Sequence, residues 1–470
     1  MPFLFIGIPL LAVATLNILS WKDRRSALWT VLAVVPILLA LALWDVYRCL
    51  TISGPVQSTF FGNFSVDLFS AVVLCTISLV TGVTAVVAYN MVHSNRFIFG
   101  NTLLLLIMGM NGIVMVNDIF SLYVFIEVTS TASFLLIAVN KERNELEGAF
   151  KYYLLSALAS AMMLISIAFI FAMSGDTSFT AAAGYIAGLG GAYPMTLRIA
   201  FVLYIVALCI KSGVVPFHTW VPDAHSSAPA PVSVVLAGVV IKVSGVYALI
   251  RIYRDVFLCN QSLGIMLSIF GLISIIVGAL AAIGQTDIKR MLAFSSVSQI
   301  GYIVLGISTG SVLGYIGAIM HFFNHATFKS LLFVDSAVVV KQTGTRNMDS
   351  MGGLAAKMPI TGVSSVLGLL SMAGIPPLSG FWSKLVIIIA VWQFSPGLAF
   401  AALCSSALTL GYFLVLQKKV FFGKVPQQME NVKECGGSLR FVQILLSAVN
   451  VVTGLLFPLL LMFIKNRGIL

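Results

Sequence analysis

From end to end the chain alternates long apolar runs with short polar breaks, and the runs decide the first prediction. Stretches of 18 or more mostly apolar residues recur throughout, and each can cross a hydrocarbon layer of about 30 Å as an α-helix. Fourteen spans are predicted, at roughly 2–19, 26–44, 67–88, 97–116, 119–140, 149–174, 197–225, 229–250, 262–283, 289–307, 313–338, 358–394, 396–417 and 442–464. The seventh and twelfth are too long for one straight helix, and both contain prolines. The expected class is all-α and integral to a membrane, with residues 1–470 forming one polytopic domain.

The two long spans hold related sequences. Around the seventh the chain reads KSGVVPFHTWVPDAH, and around the twelfth MAGIPPLSGFWSK. Each has a Gly-x-x-Pro, Gly213 to Pro216 and Gly374 to Pro377, with Pro376 beside the latter. The offset is 161 residues, from 213 to 374. Applied to whole spans, it carries the fourth onto the ninth and the eighth onto the thirteenth. Spans 4–8 and 9–13 are therefore expected to be two copies of a five-helix unit. Five is odd, so the second copy would be inverted in the membrane. This divides the chain into helices 1–3 (1–96), repeat one (97–254), repeat two (258–421) and a C-terminal helix (422–470). Proline removes a backbone N–H and opens the helix, and paired broken helices in inverted repeats mark ion paths in transporters.

Composition sharpens the class. The 470 residues are 59% hydrophobic and 9% charged, against about 25% charged in soluble domains, and mean hydropathy is +1.04. The net charge of +11 could suggest nucleic acid, but most of it lies in short loops and reads as topogenic. Seventeen Lys and Arg fall in odd-numbered loops, among them Lys22, Arg24, Arg25, Lys151, Lys418 and Lys419, and six elsewhere, including Arg251, Arg254, Lys465 and Arg467. That bias places the odd loops in the cytoplasm and both termini outside. The apolar N-terminus lacks a basic leader, so a span is expected there rather than a cleaved signal. Six scattered cysteines form no CxxC, so no zinc, cluster or redox motif is expected.

Four lysines, Lys211, Lys242, Lys329 and Lys384, remain inside spans. Glu127 lies near the middle of span five, Lys242 near the middle of span eight and His325 at the middle of span eleven. Lys211 and Lys384 flank the two breaks. A charge at the bilayer centre costs about 2.5–3.5 kcal/mol on insertion scales. Five or more such groups are a heavy load for a purely structural bundle. Alternatives stay open for several. Glu127 could be a structural partner of a lysine, and Lys211 and Lys384 could satisfy helix-end carbonyls. His321, His325 and Lys329 recur every four residues and drift only some 80° around the helix. As lone histidines they would read as neutral core residues, and Lys329 as a surface or pairing lysine. His218, Asp223 and His225 sit by the first break and either stabilise it or line an entrance. A row of Glu127, Lys211, Lys242, His325 and Lys384 with water between its members would conduct protons, because buried Lys–Glu pairs and histidines can exchange them near neutral pH.

KSGVVPFHTWVPDAHSSAPAPVS, IKVSGVYALIRIY, HFFNHATFKSLLF and GIPPLSGFWSK together resemble the antiporter-like subunits of respiratory complex I, Mrp-type cation/proton antiporters and membrane-bound hydrogenases. The resemblance covers roughly residues 65–420. It implies fourteen helices in an inverted repeat with helices seven and twelve broken. It implies that Glu127 and Lys211 pair, that Lys242 is the central lysine and that His321 and His325 are the helix-eleven histidines. It makes Lys384 the terminal lysine, with a structural role for Asp223. The wording of 211–254 is most similar to the Mrp D-type chain and its hydrogenase counterpart. Other membrane subunits, protons or sodium, and lipid are the implied partners, and no nucleic acid. No haem, flavin, quinone, cluster or metal site is legible, so any redox enzyme activity would belong to the assembly. Three rivals are a stand-alone solute transporter, a passive scaffold and a metalloenzyme. His321-x-x-x-His325 has metal-ligand spacing but Phe322 stands where HExxH needs Glu.

Overall fold

On the most peripheral helices, small and polar residues turn inward and large apolar ones outward. Helix Arg143–Ser174 shows the pattern. It exposes Phe150, Tyr153, Leu154, Leu158, Leu164, Ile165 and Phe171, and buries Ser156, Ala159, Ser160, Met163 and Ser166. Lipid is as apolar as leucine, so small and hydroxyl side chains carry the helix–helix packing. The structure, a computed structural model, describes residues 2–19, 26–51, 56–58 and 64–466. Lys22, Arg24, Arg25 and Arg467 of the charge bias lie outside the described residues, as does the side chain of Lys465.

The helices are α1 (Leu4–Leu19), α2 (Ser26–Thr51), α3 (Leu68–Met91), α4 (Arg96–Met115), α5 (Ile119–Ile137), α6 (Arg143–Ser174), α7 (Phe179–Gly188), α8 (Met195–Ser212) and α9 (Trp220–Ser227). There follow α10 (Ala230–Val256), α11 (Gln261–Ile283), α12 (Ile288–Ser308), α13 (Val312–Thr343), α14 (Pro359–Ala373), α15 (Ser379–Phe394), α16 (Pro396–Phe421) and α17 (Gly437–Asn466). Among the described residues, eleven are long and apolar enough to span a membrane alone, and α1, α14 and α15 are shorter apolar helices. A two-stranded antiparallel ribbon, β1 (Val56–Ser58) with β2 (Phe64–Val66), sits between α2 and α3. The two long spans are interrupted as predicted, α8 from α9 and α14 from α15.

Four elements differ from the expectation. Helix α7 stands where the apolar pattern predicts loop; Ser178 caps it and it buries only Phe179, Ala182 and Ile186. Helix α10 runs past 250 to Val256, so Arg251 and Arg254 are helical rather than topogenic loop charges. Lys418 and Lys419 likewise fall in the last turn of α16, and Lys151 lies within α6, where it pairs with Glu147 at 2.7 Å.

The chain divides into two units, Met1–Gly213 with Ser227–Leu263, and Val214–Ser226 with Gly264–Leu470. A shared device recurs in both. In the first, Asp118 caps α5 by accepting from Ser121 N, and bridges Ser178 with Ile119 N donating to Thr177 O and Phe179 N to Asn117 O. In the second, Asp287 caps α12 and bridges Asn347, with Ile288 N donating to Arg346 O and Met348 N to Thr286 O. The offset is 169 for both members, 118 to 287 and 178 to 347. The breaks match too. Gly213 and Gly374 end α8 and α14 in the left-handed region, at φ 66° and 83°. Glycine meets no Cβ penalty there. Each break carries a cis proline bond, Val215–Pro216 and Pro376–Pro377.

Candidate functional site

In the first unit, α8 ends in Lys211-Ser212-Gly213, which sets Lys211 one residue before the break. Its side chain is fully buried and reaches α5 and α6. Lys211 Nζ pairs with Glu127 Oε1 at 3.0 Å, and donates to Ser156 Oγ at 2.6 Å and Ser130 Oγ at 2.9 Å. Ser160 Oγ lies 3.5 Å from the ammonium and donates to Glu127 Oε1 at 2.5 Å. The Glu127 side chain is 32% exposed, so one end of the pair is open and the other sealed. The expected pair therefore forms, inside a cage of three serines. Sequence reasoning missed those serines, although Ser130 is three residues from Glu127 and Ser156 and Ser160 are four apart on one face of α6.

Helix α10 carries Lys242 and is wholly buried along its spanning window. It widens into π-helical turns at Leu236–Val240, Lys242–Tyr247 and Ile252–Val256. Such turns free carbonyls and gather at functional positions. Lys242, 1% exposed, uses two carbonyls of its own helix: Nζ donates to Ala237 O and to Gly238 O, the latter at 2.9 Å. Among the described residues no carboxylate lies within ion-pair distance of it. Gly245, one turn on, packs α10 against the end of α8; a Cβ there would lie 2.6 Å from Ser212 N and Cα.

The second unit holds the histidines. His321, His325 and Lys329 are all buried in α13. The rings of His321 and His325 stack 6.1 Å apart with 9° between planes. His321 Nδ1 meets Ser383 Oγ of α15 at 2.9 Å, and Asn324 Nδ2 donates to Ser383 Oγ at 3.0 Å and to Ser379 O at 2.8 Å. Lys329 is not a surface lysine. It turns to α12, donating to Leu292 O at 2.8 Å and Ser295 Oγ at 2.5 Å. Lys384 donates to Met372 O at 2.7 Å, near the end of α14, and lies 4.7 Å above the Tyr302 ring. Its helix-end carbonyl reading is thus met geometrically. Tyr302 gave no signal in the sequence; its hydroxyl donates to Ala402 O at 3.0 Å.

The residues by the first break take other positions. Asp223 pairs with Arg290 at 2.8 Å, half-exposed. His225 is buried, stacked on Phe333 at 5.0 Å, one turn beyond Lys329. His218 lies in the turn ahead of α9, 6.3 Å from the Phe294 ring.

The comparisons with known proteins point one way. The signature of NADH:quinone oxidoreductase/Mrp antiporter, TM, matches residues 116–409. NADH-quinone oxidoreductase subunit N of Desulforudis audaxviator is 36% identical over 323 residues, 68% of this chain and 64% of that relative's own length. NAD(P)H-quinone oxidoreductase chain 4 of a Picosynechococcus is 30% identical over 446 residues, 90% of this chain and 82% of its own. The D-type chain of the Na(+)/H(+) antiporter of Alkalihalophilus pseudofirmus is 29% identical over 394 residues, 83% of this chain and 79% of its own. Among solved structures, a chain of the Mrp complex from a Dietzia species superposes with TM-score 0.90 at 26% identity, over 98% of this chain and 95% of that one. A chain of the membrane-bound sulfane sulfur reductase, an archaeal respiratory membrane complex, does so with 0.90 at 25% identity, over 99% and 96%. These matches, and the buried lysines on broken and π-widened helices, make the chain a multi-pass integral membrane protein that belongs to the NADH:quinone oxidoreductase/Mrp antiporter transmembrane family.

Proposed function

We propose that this chain conducts protons across a membrane as one subunit of a larger assembly, coupled there to a redox reaction or to sodium exchange. The observation that carries the reading is Lys242. A lysine on a fully buried helix, held only by carbonyls of its own π-turns, has no structural partner that accounts for its charge. A methionine would fill the space without the insertion cost of about 2.5–3.5 kcal/mol. In the first unit the proton stations are Glu127, Lys211 and Lys242; in the second they are His321, His325 and Lys384, with Lys329 beside them. His218, Asp223 and His225 support the first break. The repeated caps and breaks support two five-helix repeats, 97–254 and 258–421, flanked by 1–96 and 422–470. Both termini face outside, on the bias of basic loops, and the relatives' organisms support a bacterial or archaeal cytoplasmic membrane. The relatives' assemblies supply the driving reaction, so the partners are other membrane subunits.

The test is Lys242→Ala in the assembled complex, with proton or sodium pumping measured in sealed vesicles. Pumping should fall by about a hundredfold or more, the range expected when a positioned proton carrier is lost. Normal assembly with undiminished pumping would refute the reading.

A further inference from the structure

One buried carboxyl group is not used by the stations above. Asp335 sits on α13, 2% exposed, 14 residues beyond His321. Fourteen residues make close to four helical turns, so both side chains leave the same face of α13. Asp335 Oδ1 accepts from Ser364 Oγ at 2.7 Å and from Gln443 Nε2 at 2.8 Å. Oδ2 is buried with no hydrogen-bond partner. Among the described residues no lysine or arginine pairs with the group, and Glu434 lies beyond Gln443 and Thr361. An ionised carboxylate with one naked oxygen in low dielectric is costly. Oδ2 is the position left for a proton.

Side chains continue from Asp335 in both directions. Outward, Gln443 Nε2 also donates to Thr361 Oγ1 at 3.1 Å, and that hydroxyl donates to Glu434 Oε1 at 2.7 Å. Glu434 is half-buried in the segment ahead of α17. Cys435 Sγ faces the same cluster, donating to Gln443 Oε1 at 3.4 Å. Inward, Asn450 lies seven residues beyond Gln443 on the same face of α17. Its Oδ1 accepts from Thr327 at 3.2 Å, Ser379 at 3.3 Å and Ser371 at 3.5 Å. Ser379 O then meets Asn324, which reaches Ser383 and so His321. The result is two hydrogen-bonded clusters along one face of α17 in the second unit, one from half-exposed Glu434 to Asp335 and one from Asn450 to His321, separated by two helical turns, about 10 Å.

Capping offers a plainer account of part of it. Glu434 Oε2 accepts from Ile360 N at 2.8 Å and Thr361 N at 3.3 Å, which satisfies the start of α14. That explains Glu434 but not a buried aspartate whose second oxygen bonds nothing.

We propose that Asp335 is a proton-carrying site, loaded from Glu434 past Thr361 and discharging toward His321 past the hydroxyls of Ser379 and Ser383, which Asn450 and Asn324 orient. The proton leaves the Glu434 carboxyl, which solvent reloads. It crosses from Thr361 on intervening water, binds Asp335 Oδ2, and is released through further water to the Ser379 and Ser383 hydroxyls and on to imidazole nitrogen, so each step moves one proton and no electrons. Gln443 moves no proton; it orients Thr361 and Asp335. The proposal rests on the proton-conducting reading above.

Infrared difference spectra of the assembled complex in membranes test it, recorded across a pH step and paired with pumping rates. A carboxylic-acid C=O band should be present and vanish in Asp335→Asn, with transfer slowed about a hundredfold. Thr361→Val should slow transfer similarly while the band remains. Absence of the band, or wild-type pumping in Asp335→Asn, overturns the site. Should Asp335→Asn fail to assemble, Thr361→Val decides: slowed transfer with the band intact supports the relay, and a wild-type rate overturns it. Lys242→Ala separates the two levels. If it pumps normally the proton-conducting reading falls; if it is inactive while Asp335→Asn pumps freely, only the relay falls.

Discussion

Replacing Glu127 with Gln removes one charge from the Lys211 cage and almost no volume. The pair stands at 3.0 Å, where two unit charges at an effective dielectric of ~20 attract by about 5–6 kcal/mol. Part of that offsets desolvation, and removing one member of a buried pair costs about 3–5 kcal/mol in practice. Glu127 is 32% exposed and three serine hydroxyls still face the ammonium, so the low end, about 3 kcal/mol, is expected. Lys211→Met leaves the carboxylate with Ser160 and should cost a similar amount. The double variant leaves no buried charge, so it should recover stability to within about 1 kcal/mol of the parent.

Pumping discriminates between a structural pair and a pair of proton stations. Thermal unfolding of the purified complex would report the stability cycle, and proton uptake in vesicles the transport cycle. For stations, both single variants and the double variant stay at least about a hundredfold slower than the parent. A double variant that regains both stability and pumping would show the pair to be a structural clasp, and the reasoning about Lys211 would be wrong.

Two further outcomes test other parts of the molecule. Gly245→Ala places a methyl 2.6 Å from Ser212 backbone atoms, whereas Gly397 has open space around it; Gly245→Ala should lose about 1–3 kcal/mol or more in thermal unfolding and Gly397→Ala almost nothing, and equal stability would contradict the close approach of α10 to α8. At the start of α3, Asp67 is half-buried, and the desolvation alone raises its carboxyl, but Arg251, Ser70 and Arg254 outweigh this and hold it below its ordinary 3.8. Asp67→Asn should therefore cost about 2–3 kcal/mol at neutral pH. Because the folded-state value is the lower one, that stability is present above pH 3.8 and lost as the pH falls through the folded value, so the two melting curves should converge in acid.

Much of the fold was legible because lipid imposes a length and a polarity that a single sequence displays. Span positions, the two breaks and the buried lysines follow from apolar runs, Gly-x-x-Pro and charges with no loop to occupy. What the runs concealed was polar chemistry of the quiet kind. Ser130, Ser156 and Ser160 look like helix filler until Lys211 is placed among them. Asp335 escapes notice because it follows a lysine and two histidines on one helix and reads as part of its hydrophilic end. Helix α7 lacks the length of a span, and the reach of α10 is hidden because IRIYRDV reads as a charged exit from the membrane. It stays helical because Arg251 finds Asp67 at 2.8 Å and Asn117 at 2.8 Å, so its charge needs no water.

The partners of the buried lysines divide them by role. Lys211 has a fixed carboxylate, so a proton that leaves it leaves a net charge behind unless Glu127 also changes state. Lys242 and Lys384 are held by carbonyl oxygens. These are neutral acceptors that stabilise an ammonium without demanding it. A carbonyl-held amine can lose its proton and leave no unpaired anion, so it suits transit; an ion pair suits control, because it must open before its proton moves. On that logic, placing a permanent acid beside Lys242 should stop conduction as surely as removing the lysine. Val239 and Val246 are buried residues of α10, three and four positions from Lys242. Glutamate at either position reaches the same face of the helix. Each variant should assemble, because it supplies a partner to a buried charge, and each should pump no faster than Lys242→Ala. A rate near the parent's would show that a fixed counter-charge does not hold the proton, and that the choice of carbonyls over carboxylates has no bearing on transport.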